Sequence, residues 1–171
     1  MMILHSADLK TLNMNLPELL RKRGALLTAG NQSGCNTMTI GWAQSGMVWG
    51  KPVCTVYVRP ERYTYQFMEA QDYFTLSFLP ESEKQTMAFC GSRSGRDTDK
   101  IAACGLAVEY GAGDAPYFAQ AELVLVCRKL YVQNLDLGPV TDEAVLSFYG
   151  PAKGGIHRAY TGEIVEAYTF S

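Results

Sequence analysis

The chain has 171 residues, with 15 lysines and arginines against 17 aspartates and glutamates, which gives a formal net charge of -2. Hydrophobic residues make up 47% and charged residues 19%, a balance that excludes a disordered chain and predicts one domain, residues 1–171, with a substantial core. The slight negative charge disfavours binding to nucleic acid or to an anionic membrane, so any anion site must come from a local cluster of cations.

Six short runs of β-branched and aromatic residues, separated by Gly, Asn or Pro, predict the strands of an antiparallel sheet. They are residues 25–30, 37–43, 53–58, 73–79, 122–132 and 159–170. Two helices are predicted, one with Pro60 near its first position and one with acidic residues after Pro80, where the helix dipole favours them. Six or more strands, few helices and no G-x-G-x-x-G predict an all-β or α+β barrel or sandwich, and not a doubly wound nucleotide fold.

The first stretch that could carry chemistry is GCNTMTIGWAQSGMVWG, residues 34–50. A polar, glycine-bearing entry leads into a strand in which Thr37 and Thr39 alternate with apolar side chains. Such an edge can offer backbone N–H groups and hydroxyls to a flat heterocycle. The alternative is a plain hairpin with Trp42 and Trp49 packed in the core, since aromatic and Thr-rich strands are common.

The second stretch, VCTVYVRPERYTYQ at residues 53–66, reads as a strand that ends at Arg59 and is followed by a helix. Backbone N–H groups at the start of a helix, together with guanidinium and hydroxyl donors, can bind a phosphate. The donors in question are those of Arg59, Arg62, Tyr63 and Thr64. The alternative is a solvated turn in which Arg59 and Arg62 pair with Glu61 or Glu69.

The third stretch, CGSRSGRDTDK at residues 90–100, is the densest cluster of cations in the chain. Arg93, Arg96 and Lys100 supply charge, and the glycines let the backbone curve around a ligand. Asp97 or Thr98 could cap a short helix that contains Lys100. The stretch therefore predicts an anion site, and the alternative is a mobile surface loop.

The chain has two histidines, and His157 is the one in an informative context, because it follows a Gly-Gly turn and begins a predicted strand. With a near-neutral pKa it could donate a proton or a hydrogen bond to a reduced cofactor. The alternative is an ordinary surface or core histidine.

The five cysteines are odd in number and form no C-x-x-C pair, which indicates reduced thiols in the cytoplasm and not a disulfide framework. The start MMILHSADLK lacks the basic start and long apolar stretch of a signal peptide, and no apolar run is long enough to span a bilayer. Because the histidines are far apart and the cysteines scattered, we expect no metal site.

Taken together, these stretches resemble the flavin reductase-like family with the FMN-binding split barrel, and in particular its flavoredoxin branch. The resemblance rests on NTMTIGWA at residues 36–43, WGKP at 49–52, VYVRPERYTYQF at 56–67, CGSRSGRDTDK at 90–100 and H-x-x-x-x-G-E-I at 157–164. It implies a six-stranded antiparallel Greek-key split barrel, usually a homodimer, with one non-covalent FMN per subunit near the dimer interface.

The resemblance also implies roles for individual residues. Contacts to the isoalloxazine ring would come from Asn36, Thr37, Met38 and Thr39. The phosphate would be held by Arg59, Arg62, Tyr63 and Thr64, and Ser94, Arg96 and Lys100 would close over the phosphate or the ribityl chain. His157 would lie near the flavin or the electron donor, although Ile156 stands where many flavin reductases carry an acid.

These implications lead to the hypothesis of an FMN-dependent oxidoreductase, in which the cofactor carries the redox chemistry and the protein orients it. Its electron donor would be NADH or NADPH, as in a flavin reductase, or a redox partner protein, as for a flavoredoxin. The alternatives are a non-catalytic barrel that stores or senses flavin, and an interaction module whose basic loops bind an acidic partner.

Overall fold

A computed structural model of the protein describes residues 3–170. The strands are β1 (Leu4–Ser6), β2 (Ala25–Asn31), β3 (Gly34–Ile40), β4 (Ala43–Val48), β5 (Lys51–Val58), β6 (Tyr73–Phe78), β7 (Val108–Tyr110), β8 (Pro116–Phe118), β9 (Leu123–Asn134) and β10 (Arg158–Phe170). The α-helices are α1 (Leu16–Lys22), α2 (Thr64–Ala70), α3 (Lys84–Ser92), α4 (Lys100–Ala103) and α5 (Glu143–Leu146), and single 3-10 turns lie at Glu81–Glu83 and Ala112–Asp114.

Every ladder in the main sheet is antiparallel, and the sheet runs in the order β3-β2-β6-β9-β10-β5-β4, with β1 added on β10. The predicted antiparallel barrel with a few short helices is therefore confirmed. The sheet has eight strands where six were predicted. The two additional strands are β1, which is only three residues long, and β4, whose side chains are almost all exposed. Neither has the alternation of buried and exposed residues that marks a half-buried strand.

The two end strands of this path, β3 and β4, are consecutive in the chain and are separated only by Gly41 and Trp42. Between residues 3 and 170 no backbone hydrogen-bond ladder joins β3 to β4. The two strands are therefore connected through the chain at Gly41 and Trp42, but they are not paired. The barrel is split at this seam. Backbone and side chains at the seam are thereby left accessible to a ligand.

Buried apolar side chains fill the barrel interior and, separately, the space between the sheet and α3. Inside the barrel, Phe74, Leu27 and Tyr160 are almost wholly buried. Gly162 of β10 is required here, because a Cβ atom would lie 2.8 Å from both the Phe74 ring and Cys127 Cβ. The core therefore packs the central strands β2, β6, β9 and β10 closely against one another.

The two predicted helices form close to where the prolines placed them. Pro60 does not open its helix, however: the Arg62 N–H donates to the Arg59 carbonyl (3.1 Å), so Pro60 lies in a tight turn and α2 begins at Thr64. After Pro80 the chain makes a 3-10 turn before α3. No helix within residues 3–170 has both the length and the apolar character needed to cross a membrane.

Candidate functional site

Two pockets lie side by side at the seam of the barrel and share Met38. One, here called the aromatic pocket, has a volume of about 310 Å³ and is lined by Met38, Thr39, Ile40, Gly41, Trp42, Tyr57, Arg59, Phe148 and His157. The other, here called the basic pocket, has a volume of about 180 Å³ and is lined by Asn36, Met38, Glu61, Arg62, Tyr63, Thr64, Gly91, Ser92, Arg93, Ser94, Gly95, Arg96 and Lys100.

The basic pocket collects four cations from the turn before α2, the loop after α3 and the first residue of α4: Arg62, Arg93, Arg96 and Lys100. None of them has a carboxylate oxygen within 4.0 Å in the described part of the chain. Backbone carbonyls hold two of the guanidinium groups instead: Arg62 donates to Gly91 O (3.4 Å) and Arg96 to Glu61 O (3.0 Å). The pocket thus carries positive charge that this chain does not neutralise with ion pairs.

Lys100 is the most buried of these cations, with 3% of its surface exposed. Its ammonium group donates to Cys90 O (2.9 Å) and Arg93 O (3.1 Å), carbonyls at the C-terminal end of α3. Burial lowers the pKa of Lys100, and burial also lowers the pKa of Arg62. A desolvated cation that rests on carbonyl dipoles alone is stabilised further by an anion beside it.

The helix that carries Lys100 is capped by Asp99, whose carboxylate accepts from the Ala102 N–H (3.0 Å), so the predicted cap at Asp97 or Thr98 is wrong.

Gly95 brings the basic loop onto the barrel. A Cβ atom at this position would lie 2.1 Å from Asn36 Oδ1 and 2.7 Å from Tyr63 Cδ1, so no other residue fits without moving its neighbours. The Asn36 side chain in turn donates to Thr64 Oγ1 (2.8 Å). The loop, β3 and the start of α2 are therefore locked together around the basic pocket.

Strand β3 places its two predicted threonines in different surroundings. Thr37 is fully buried, accepts from Thr28 Oγ1 (2.9 Å) and donates to Leu27 O (3.2 Å), and it lines neither pocket. Thr39 does line the aromatic pocket, although its hydroxyl donates to Met87 O (2.6 Å). The hydroxyls of this strand are thus already engaged by the protein.

Arg59 lines the aromatic pocket and not the basic pocket. Its guanidinium donates to Gly155 O (2.7 Å) and Phe148 O (2.8 Å) and lies 5.1 Å from the centre of the Tyr149 ring. The family resemblance implied that Arg59 and Lys100 meet at one phosphate, whereas in the structure the two residues line different pockets. Arg59 instead fastens the 148–155 segment to the end of β5.

The alternative ion pairs of the second stretch do not form. The Glu69 carboxylate accepts from Arg158 Nε (2.7 Å) and Tyr160 OH (2.6 Å), and the Glu61 carboxylate accepts from the Gly155 N–H (2.5 Å). Neither carboxylate lies within 4.0 Å of a guanidinium nitrogen of Arg59 or Arg62. The carboxylates near the site therefore leave these arginines available to a ligand.

His157 lines the aromatic pocket and is 8% exposed. Its Nδ1 shares a hydrogen bond with Tyr149 OH (2.9 Å), and its ring centre lies 5.0 Å from that of Trp42. Burial, reinforced by the charge of Arg59 and opposed by Glu61, lowers the pKa of His157 to about 4. The near-neutral pKa expected from the sequence is therefore wrong, and the imidazole is neutral at pH 7.

Of the predicted site residues, all but Thr37 line one of the two pockets. Sequence reasoning missed Tyr57 and Phe148. Trp42, offered as a core residue in the alternative reading, is 43% exposed in the aromatic pocket, and Trp49 is 63% exposed on the β4–β5 turn. The Gly41-Trp42 break between two strand-like runs was the signal for Trp42. No local pattern marks Phe148.

Within residues 3–170 no group of three or more His, Cys, Asp and Glu side chains is placed to hold a metal ion. All five cysteines are free; Cys54, Cys90 and Cys127 are buried, and Cys35 and Cys104 are partly exposed.

The chain is thus a split antiparallel barrel with a basic and an aromatic pocket side by side at its seam. Residues 21–171 match the family model of the flavin reductase like domain, and the chain belongs to this family. The comparison with curated proteins found no match.

Solved structures share the fold at low sequence identity. A flavoredoxin from Methanosarcina acetivorans is 23% identical with a TM-score of 0.68, covering 86% of this chain and 68% of that one. An FMN-binding domain of a flavin reductase-like enzyme from Shewanella baltica is 20% identical with a TM-score of 0.69, covering 97% of this chain and 76% of that one. An NADH:FAD oxidoreductase from Streptomyces globisporus, in complex with NAD and FAD fragments, is 19% identical with a TM-score of 0.59, covering 86% of this chain and 79% of that one.

Proposed function

We propose that this protein binds FMN non-covalently and acts as a flavin-dependent oxidoreductase. The observation that carries the proposal is the basic pocket: four cations without carboxylate partners in residues 3–170, adjoining an aromatic pocket across the single residue Met38. FMN has the matching asymmetry, with a dianionic phosphate at one end and a flat, largely apolar ring at the other.

The donor set of each pocket fits one end of FMN. Guanidinium groups are strong phosphate ligands in proteins and hydroxyls add further donors, and the basic pocket offers those of Arg62, Arg96 and Ser94. Tyr63, Thr64 and the buried Lys100 would complete the phosphate site, and Asn36 would lie between the two ends. The aromatic pocket falls at the lower end of the volume range of ligand sites, about 300–1,000 Å³.

We assign Met38 and Thr39 to the ring, with Thr37 supporting them through the strand backbone. Arg59 belongs with the ring and not with the phosphate, because its carbonyl-bound guanidinium lies in the aromatic pocket. FMN would supply the one- or two-electron redox chemistry when bound. Arg59 would then stabilise negative charge that develops on a ring bound in the aromatic pocket, because its guanidinium is already held in place there.

His157 has the role of a hydrogen-bond donor and not that of a proton reservoir. At pH 7 its imidazole is neutral, because burial and Arg59 lower its pKa to about 4. If Tyr149 OH donates to Nδ1, the neutral imidazole carries its proton on Nε2. The Nε2–H group can then donate a hydrogen bond to a ligand in the aromatic pocket. We therefore propose that His157 orients the ring or the electron donor.

In this proposal the electron donor is NADH, NADPH or a redox partner protein.

We also propose that the protein acts as a homodimer. Support for an association surface comes from the edge strand β4, where Met47 is 68% exposed, and from the turn after it, where Trp49 is 63% exposed. Unpaired strand edges with exposed apolar side chains are typical of protein contacts. Light scattering during size-exclusion chromatography tests this, and a monomer at micromolar concentration contradicts the dimer.

The function is tested by the visible spectrum of the purified protein, followed by anaerobic addition of NADH and then NADPH. We expect the protein to carry bound flavin or to take up added FMN saturably. The absorbance of the bound flavin should then be bleached rapidly by NADH or NADPH, or be bleached only by a protein donor. A protein that takes up no FMN contradicts the proposal. Tight FMN binding without reduction by any donor would establish the storage or sensor alternative.

A further inference from the structure

A third cavity, here called the apolar groove, opens beside the aromatic pocket and has a volume of about 720 Å³. Its walls are Pro17 and Leu20 of α1, Val145 of α5 and the rings of Trp42, Tyr57 and Phe148. These residues come from four segments that are far apart in sequence. The groove is larger than either of the pockets assigned above to FMN, and nothing in that assignment uses it.

The apolar groove continues the aromatic pocket, because Gly41, Trp42, Tyr57 and Phe148 line both. The rings of Trp42 and Phe148 meet edge to face, with their centres 5.0 Å apart. A flat ligand in the groove would therefore contact the same aromatic side chains that border the aromatic pocket. Such contacts place a ligand directly beside the proposed redox centre.

Charge in the groove is restricted to one residue. Of the described residues that line it, Arg21 alone is charged. The neighbouring Lys22 is paired with Glu18 (2.7 Å), whereas no carboxylate oxygen in residues 3–170 lies within 4.0 Å of Arg21. The groove thus offers one unneutralised cation at an otherwise apolar and aromatic surface.

One polar group stands at the junction of the groove and the aromatic pocket. The Tyr57 hydroxyl makes no hydrogen bond to any other described residue, and burial raises the pKa of Tyr57, so this hydroxyl is a protonated donor near neutral pH. A few convergent polar groups in a largely apolar cavity are typical of a site for a small molecule.

We propose that the apolar groove is the substrate site of the oxidoreductase and binds small aromatic carboxylates of the benzoate class. The ring lies against Trp42 and Phe148, and the carboxylate is held at Arg21. A single cation matches a monoanion, whereas the pyrophosphate of a nicotinamide dinucleotide calls for a cluster of cations such as the basic pocket has. The role as substrate site rests on the proposed function, but binding by the groove does not.

The test is isothermal titration calorimetry of the protein as purified, with benzoate and with benzyl alcohol as its uncharged counterpart. The variant is Arg21→Gln, and the matched control is Lys22→Gln, which removes the same charge one residue away and outside the groove. Because the chain has two tryptophans, Trp49→Phe leaves Trp42 as the sole indole. Its fluorescence then reports whether the ligand lies against Trp42, and because Arg21 lines the groove and not the aromatic pocket, the effect of Arg21→Gln separates the two cavities.

We expect saturable benzoate binding that perturbs Trp42 fluorescence and weakens about threefold or more in Arg21→Gln, the scale of one solvent-accessible ion pair. Lys22→Gln should match the parent, and benzyl alcohol should bind without sensitivity to Arg21. No saturable binding, equal losses in the two variants, or equal losses for both ligands would overturn the inference. Flavin uptake and its reduction by a donor, both followed separately by absorbance, decide the proposed function whichever result is obtained.

Discussion

The basic pocket and the apolar groove both adjoin the aromatic pocket, yet they have opposite characters. Four cations line the first, while one cation lines the second among aromatic and aliphatic walls. The basic pocket meets the aromatic pocket only at Met38, and the groove meets it at four other residues. A ligand with an anionic end and an apolar end therefore has one favourable orientation, with the anion in the basic pocket and the apolar end in the aromatic pocket. The apolar end then lies next to the groove.

The cations of the basic and aromatic pockets fall into two kinds, those that also support the fold and those that are available mainly to a ligand. Lys100 and Arg59 each donate to two backbone carbonyls, so part of their effect is on the fold. Arg62 and Arg96 have one carbonyl contact each. Variants at these two kinds of position should differ in how they divide their effect between stability and binding.

The largest effect is expected from Arg62→Ala combined with Arg96→Ala. Removing two guanidinium groups from the basic pocket should weaken FMN binding about 100-fold or more, since a hydrogen bond to a charged group is worth about 1.5–3 kcal/mol. Riboflavin, which lacks the phosphate, should lose less than about threefold. Flavin fluorescence titration measures both.

The matched control for this pair is Lys22→Ala with Arg128→Ala, which removes the same charge at residues outside the basic pocket. Equal losses for FMN and riboflavin, or equal losses in the control, would show that the phosphate does not bind in the basic pocket.

Lys100→Met is expected to lower the free energy of unfolding by about 2–3 kcal/mol, because two carbonyls at the end of α3 lose their charged donor. Urea denaturation measures this, with the exposed Lys84→Met as control. A loss of FMN affinity without any loss of stability would assign Lys100 to the ligand alone and contradict its structural role.

His157 should make stability depend on pH below neutrality. Its folded pKa of about 4 lies below the ordinary value of 6.5, so the unfolded chain takes up the proton first and stability falls as the pH is lowered from about 6.5 to 4. Between pH 7 and 4.5 the wild type should lose about 2 kcal/mol more than His157→Gln in urea denaturation. Parallel losses in the two proteins would place the imidazole in solvent.

The smallest effect is a contrast between two threonines on one strand. Thr37→Val should cost about 1 kcal/mol of stability through its lost hydrogen bonds and change FMN affinity less than about twofold. Thr39→Val, the same change in a side chain that lines the aromatic pocket, should lower FMN affinity several-fold. A binding loss confined to Thr37→Val would reverse the roles assigned to these two threonines.

The antiparallel barrel was predictable because its central strands are runs of β-branched and aromatic residues, such as those of β5 and β9. Strand β4 was not, since its exposed side chains show no alternation of apolar and polar residues and its conformation depends on pairing with β5. The two basic stretches were visible as charge clusters. That Arg59 lies apart from Lys100 depends on which side chains face the seam, a property of the folded sheet that local pattern does not encode.

The groove illustrates the same limit more strongly. Its walls come from α1, the Gly41–Trp42 break and the segment around Phe148, and none of these has a motif of its own. Only tertiary packing brings them together. Side chains that converge from distant segments are the part of a site that one sequence cannot disclose.

The ratio of the dissociation constants of riboflavin and FMN for the unmodified protein tests the central claim most directly, because the two ligands differ only in the phosphate. With the phosphate in the basic pocket, FMN should bind about 100-fold tighter or more, and the advantage should shrink as salt is added. Equal affinities for the two flavins would contradict a phosphate site among these four cations.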